Sequence, residues 1–197
     1  MDLLAALLDN PLMVLRAAMH RGSVDADFQE ISSGERLRLL AAGDAERIAA
    51  LSAAVQFLPR RHWKRTHSEV LLGELLGGRA LALAIVPAGA EDPVSYLDFA
   101  PPQDGVLEIG FCMTHPDWRR LGLMTRLVAT LVLVYFDQRM LVTTSESNDA
   151  MQRTLLKLGF VLREYLPDDR VNGEATLILE RAAATSFDLT LPSALTG

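Results

Sequence analysis

One cysteine, Cys112, stands in the whole chain, so no intrachain disulfide can form and a reducing compartment is the natural expectation. Aromatic residues make up only 6%. Positive charge is also short: 19 Lys and Arg against 25 Asp and Glu leave a formal net charge of -6, which argues against a broad nucleic-acid surface. Long apolar runs are missing as well. The stretch Leu127 to Phe136, broken only by Thr130, is roughly half the ~20 residues that a membrane span needs. The N-terminus carries Asp2 where a secretory signal would want positive charge, and Asp9, Asn10 and Pro11 interrupt its apolar residues. The expectation is a cytoplasmic protein that engages neither nucleic acid nor membrane.

What is present fits a folded domain. Hydrophobic residues are 50% and charged residues 22% of 197, enough to bury a full core. Residues 1–34 read as an N-terminal helical extension and linker: Leu3, Leu4, Leu7 and Leu8, then Leu12, Leu15 and Met19, fall at helical spacing. That apolar face packs on its own domain or pairs two subunits into a homodimer. A short strand is marked at Phe28 to Ile31. Residues 35–181 read as the main domain and 182–197, rich in Ala, Thr, Ser and Pro, as a C-terminal tail.

Within the main domain Arg36 to Leu40 alternates as a first strand, and Asp44 is placed to cap a helix carrying Ile48, Leu51, Ala54 and Val55. The cluster Arg60, Arg61, His62, Trp63, Lys64, Arg65 reads as a solvated helix start, with binding of phosphates or an acidic acceptor as the functional alternative. A helix over Ser68 to Leu76 stops at Gly77 and Gly78. Strands over Ala80 to Val86, Val94 to Phe99 and Val106 to Thr114 are joined by short Pro- and Gly-bearing loops that suit antiparallel neighbours. A dense apolar helix from Arg120 to Asp137, a strand over Met140 to Thr144, a helix from Asn148 to Leu158, and strands over Phe160 to Tyr165 and Ala175 to Glu180 complete the domain.

The stretch EIGFCMTHPDWRRLGLMTRL, Glu108 to Leu127, organises the rest. A strand that turns sharply into a helix leaves the first helical N–H groups unpaired, and the helix dipole adds partial positive charge there. That is a seat for phosphate, built from the main chain of Arg120, Leu121, Gly122, Leu123, Met124 and Thr125. The side chains of Arg119 and Arg120 can add charge-assisted contacts.

The order of elements, with Arg119 and Gly122 after a strand, resembles the GCN5-related N-acetyltransferase (GNAT) family, whose coenzyme loop runs Arg or Gln, two residues, Gly, one residue, Gly or Ala. Met124 departs from the second small residue. Asn148, Ala150, Lys157, Leu158, Gly159 and Phe160 resemble the family's later helix, and both motifs lie in the family's order between about Arg36 and Glu180. The resemblance implies an α/β (α+β) fold: a mixed, mostly antiparallel central sheet splayed between its fourth strand, 106–114, and its fifth, 140–144, with helices on both faces and the N-terminal helices as an addition.

It also implies the chemistry. Acetyl-CoA would be the acyl donor and no metal would be needed. The main chain of Cys112, Met113 and Thr114 would pair with the pantetheine arm, Asn148 would belong to the coenzyme site, and a main-chain N–H would stabilise the oxyanion. The acceptor would be a small-molecule or peptide amine. A lysine-like amine is neutral in roughly one molecule in 2,500 at pH 7, so a base is useful. Glu108, eleven residues before Arg119, is similar in position to the glutamate base of the family's histone-modifying branch. The tyrosine that many members use as general acid falls at Leu155, which cannot donate a proton and leaves Ser147, Tyr165 or water. Cys112 reads as a small residue beside the coenzyme. The expected activity is an acetyl-CoA-dependent N-acyltransferase; the alternative is a non-catalytic or sensory acyl-CoA-binding domain on the same fold.

Overall fold

A computed structural model describes residues 27–31, 35–40, 42–55, 75, 77 and 80–184. The expected helices within 1–20, the basic cluster 60–65, nearly all of the helix 68–76 and most of the tail lie outside them.

The described chain builds one eight-stranded sheet. Its strands are β1 (Asp27–Ile31), β2 (Glu35–Leu40), β3 (Leu81–Pro87), β4 (Ser95–Phe99), β5 (Val106–Thr114), β6 (Arg139–Ser145), β7 (Val161–Leu166) and β8 (Thr176–Arg181). In space they run β1-β2-β3-β4-β5-β6-β8-β7, and every neighbouring pair is antiparallel except β5 with β6. The mixed, mostly antiparallel sheet is thus the expected one, with the short strand at 27–31 paired onto its edge.

Three helices position the rest: α1 (Ala45–Ala54), α2 (Leu123–Val134) and α3 (Asp149–Lys157). Strand β3 explains the layering. Its sequence LALAIVP is buried along its middle, so both faces are covered. Leu83 and Ile85 point into the larger core with Leu97, Phe99 and the α2 residues Leu127, Val128 and Leu131. Ala82 and Ala84 point the other way, where their small size lets Ile48 and Leu51 of α1 approach with Tyr96 and Met113. Phe99 meets Tyr135 edge-on, with ring centroids 6.0 Å apart at 61°.

Helix α2 is buried nearly all round, which follows from its run of Leu and Val and from its place as the crossover between the parallel strands β5 and β6. It begins three residues later than its apolar pattern, because Arg120 and Gly122 hold positive φ and cannot enter the helix. Asp44 sits at the start of α1 but makes no side-chain cap. Its buried carboxylate instead accepts from Arg38, at 2.9 and 3.1 Å, and from Arg47 at 3.1 Å.

Candidate active site at the splayed strands

The parallel pair is short. Val106 to Ile109 align with Arg139 to Val142, and there the pairing ends. Beyond it β5 follows β4 as far as Thr114, while β6 follows β8 as far as Ser145. The sheet therefore opens into a wedge between the two strands. The turning point is a bulge on β5: Leu97 faces Cys112 and Phe99 faces Ile109, so two steps along β4 match three along β5.

The bulge changes what β5 offers to the wedge. The amide of His115 donates to Val94 O at 2.8 Å, and in an antiparallel ladder such bonded pairs alternate with open ones. Met113 opposite Tyr96 is then a bonded pair, whereas Cys112 opposite Leu97 and Thr114 opposite Ser95 are open pairs. Their N–H and C=O groups point away from β4, into the wedge. Of the three residues expected to meet a pantetheine arm, Cys112 and Thr114 offer main-chain edge, and Met113 is turned to β4. Arg119 Nε reaches the open carbonyl of Thr114 at 3.4 Å.

A cavity of about 740 Å³ fills the wedge, within the range of small-molecule sites. One end is the loop before α2. His115 Nδ1 accepts from the Asp117 amide at 3.3 Å and fixes the turn out of β5. Arg120 at φ 68° and Gly122 at φ 74° then curl the main chain, and Gly122 is the N-cap of α2. A glycine cap has no side chain to occupy the first helical amides, and the earliest helical bond is Arg126 N to Gly122 O at 3.0 Å. The N–H groups of Leu123, Met124 and Thr125 are left to a ligand. A Cβ built on Gly122 meets no protein atom within 4 Å, so its positive φ, rather than crowding, demands glycine.

Arg119, Arg120, Gly122, Leu123, Met124, Thr125, Cys112, Thr114 and Asn148 all line this cavity. Leu121 is not among the lining residues, and its side chain is 59% exposed. Asn148 Oδ1 accepts from the Met151 amide at 3.2 Å, capping α3, which leaves its amide nitrogen for a ligand. Ser147 is on the wall, whereas Tyr165 is exposed and donates to Glu146 Oε2 at 3.5 Å. The Glu146 charge raises the Tyr165 pKa above its ordinary value. Leu155 is fully buried in the core.

The cavity passes through the sheet. Ala150, Met151 and Thr154 of α3 line it on the α2 face, while Val55, beside α1, and Phe111, which packs into the α1-side cluster, line the other. Glu108 lies on the α1 face, between core-facing Leu107 and Ile109; it is exposed and not among the lining residues.

Sequence reasoning did not single out Trp118, Gly110, Phe111 or Arg170, which line the cavity too. Gly110 carried a signal, since an isolated glycine inside a strand pattern marks a bulge. Arg170 is 8% exposed and lies in the turn between β7 and β8. That turn is fixed by Arg170 N to Glu174 O at 3.0 Å and by Thr176 Oγ1 donating to Asp169 Oδ2 at 2.6 Å. Among the described lining residues three arginines appear and no carboxylate. The Cys112 thiol on the wall is held well above its ordinary pKa, first by burial and then by the charge of Asp98. Among the described residues, no group of three His, Cys, Asp or Glu is placed to hold a metal ion, and no helix is long and apolar enough to cross a membrane.

Comparison with known proteins agrees with this fold. The family model of the acetyltransferase (GNAT) family matches residues 47–160, more than half of the chain. The chain belongs to the GNAT acetyltransferase family. No curated protein matches it in sequence. Among solved structures, the ribosomal-protein-S18-alanine N-acetyltransferase of Escherichia coli is similar at TM-score 0.64 and 14% identity, over 79% of this chain and 97% of that one. The ribosomal-protein-S5-alanine acetyltransferase of Vibrio fischeri is similar at TM-score 0.63 and 16% identity, over 82% and 98%. A ribosomal L7/L12 α-N-protein acetyltransferase, solved in complex with coenzyme A, is similar at TM-score 0.62 and 14% identity, over 80% and 98%.

Proposed function

We propose that the protein is a cytoplasmic, acetyl-CoA-dependent N-acyltransferase that moves an acyl group to a primary amine by direct attack on the thioester. The observation that carries this reading is the joining, in one cavity, of two sets of main-chain groups: the open edge at Cys112 and Thr114, and the uncapped N-terminus of α2. The second suits a diphosphate, with Arg119 and Arg120 beside it; the first suits an extended amide-bearing arm laid along β5 like a missing strand. The described residues therefore fit the coenzyme.

The amine would approach from the α1 face and attack the thioester carbonyl. The C–S bond then breaks, the thiolate leaves, and the amine's proton passes to a base. Glu108 is the proposed base. Being exposed, it would act through water on the α1 face, and it would matter most for an amine of high pKa. With Leu155 buried where a tyrosine acid would stand, the thiolate leaves unassisted or with help from Ser147 or water. The similar enzymes reported above are named for an alanine or the α-nitrogen of ribosomal proteins, which supports a peptide amine within the acceptor class.

Thiol release from acetyl-CoA, followed across a panel of small and peptide amines, tests this. Turnover with at least one amine, reduced ten-fold or more by Glu108→Gln, is expected. The non-catalytic, acyl-CoA-sensing reading is favoured by one observation, the absence of a carboxylate from the described cavity wall. Tight coenzyme binding with no turnover across the panel would decide for it.

A further inference from the structure

Asp98 lies in the middle of β4 and is 7% exposed. It stands at the β5 bulge, between the pairs Leu97 with Cys112 and Phe99 with Ile109. Its Oδ1 accepts the main-chain N–H of Phe111, so a side chain here takes an amide of the bulged strand. Its carboxylate also fills the space over Gly110. A Cβ built there would lie 2.6 Å from Oδ2 and 2.9 Å from Oδ1, distances that real side chains do not tolerate. Gly110 and Phe111 both line the cavity, although Asp98 itself is not among the lining residues.

The position of the bulge decides what the wedge receives. Before it Ile109 and after it Cys112 both face the α2 core, three residues apart rather than two or four. Without the extra residue, β5 would continue in even alternation and every later residue would exchange faces. Cys112 and Thr114 would then present different groups to the cavity. An acceptor that holds the Phe111 amide in the bulged geometry opposes that slip.

We infer that Asp98 is a positioning residue for the transfer reaction: its carboxylate clasps the Phe111 amide, holds the β5 bulge open over Gly110, and so fixes which main-chain groups of β5 face the thioester. The inference rests on the coenzyme reading above. It assigns Asp98 no contact with substrate. Acceptance of a hydrogen bond, not negative charge, is the property it requires. Losing one aligned oxyanion donor costs on the order of 10²–10³ in kcat, while coenzyme affinity, anchored at the α2 N-terminus, depends on the bulge less.

The test compares Asp98→Ala, Asp98→Asn and Gly110→Ala in the full-length protein. Hydrogen exchange at the Phe111 amide is read alongside kcat and the KM for acetyl-CoA. Expected is at least ten-fold faster Phe111 exchange in Asp98→Ala, with kcat down ten-fold or more and KM changed less than about three-fold. Asp98→Asn, whose amide oxygen can still accept, recovers most of both. Gly110→Ala, which pushes the carboxylate away without removing it, resembles Asp98→Ala. Unchanged Phe111 exchange in Asp98→Ala would overturn the inference, and so would Asp98→Asn as impaired as Asp98→Ala. Should the wild-type protein fail to bind acetyl-CoA, the coenzyme reading falls, while Phe111 exchange still decides whether Asp98 holds the bulge.

Discussion

Ile109 faces Val142 in the last aligned pair of β5 and β6, and from that pair the two strands diverge. Everything proposed for function lies in the opening: the free main-chain edge of β5, the amides at the start of α2, and the hydroxyl-rich end of β6.

The loop before α2 is held in a conformation that one of its residues resists. Arg120 has φ 68°, a left-handed value that costs a non-glycine residue ~1–2 kcal/mol. Arg120→Gly is expected to raise unfolding stability by up to about 1 kcal/mol, and to weaken coenzyme binding through the lost cation. Gly122→Ala meets no steric obstacle but takes on the same strain at φ 74°, so about 1 kcal/mol of stability should be lost. Urea midpoints of the two variants check both signs.

Tyr96 gives the alkaline side of stability a shape. Burial is the first cause of its raised pKa; the hydrogen bond with Ser52 opposes this, and the Asp98 charge adds to it. Below about pH 10 the phenol is protonated in folded and unfolded chains alike, and its contribution is fully present. Above that pH the unfolded chain ionises while the folded one does not, so stability falls as pH rises, by about 1 kcal/mol over the first unit. Tyr96→Phe should show a shallower decline above pH 10 in chemical denaturation. An unaltered slope would mean that the phenol does not remain protonated in the fold.

Cys112 lines the cavity with its thiol held in the protonated form. Its reaction with a thiol reagent at pH 8 should run at least ten-fold slower than that of a free cysteine, because the thiolate is the reactive species. Bound coenzyme A should slow it further. A rate equal to that of free cysteine contradicts this placement.

Asp44 is 2% exposed and bound to both Arg38 and Arg47. Asp44→Ala leaves Arg38 without that carboxylate, while Arg47 keeps Glu91 and Asp92, and a loss of stability is expected. Calorimetry would show a fall in Tm without loss of coenzyme binding, since the trio lies outside the cavity wall.

Much of the fold was legible because its signals are local. The alternation of Arg36 to Leu40, the loops between β3, β4 and β5, and the capped helix from Asn148 each announce themselves in a few residues. The turn from β5 into α2 could be read too, since Arg119 and Gly122 follow a strand directly. The Arg170 wall of the cavity could not. Arg170 reaches the cavity from a turn some fifty residues downstream of Gly122, and no local pattern records that approach. Asp44 makes no cap because Arg38, from the preceding strand, and Arg47, from the first turn of α1 itself, both compete for the carboxylate. Asp98 shows no periodic signal, because its role comes from a bulge in the neighbouring strand.

The most direct test of a coenzyme site in the wedge is the melting temperature of the full-length protein with and without acetyl-CoA. A ligand present at 100 times its Kd adds ~2.7 kcal/mol, a shift of several degrees for a domain of this size. Expected is such a rise with millimolar acetyl-CoA, reduced in Arg120→Gly. A melting temperature that acetyl-CoA leaves unmoved would contradict the central claim.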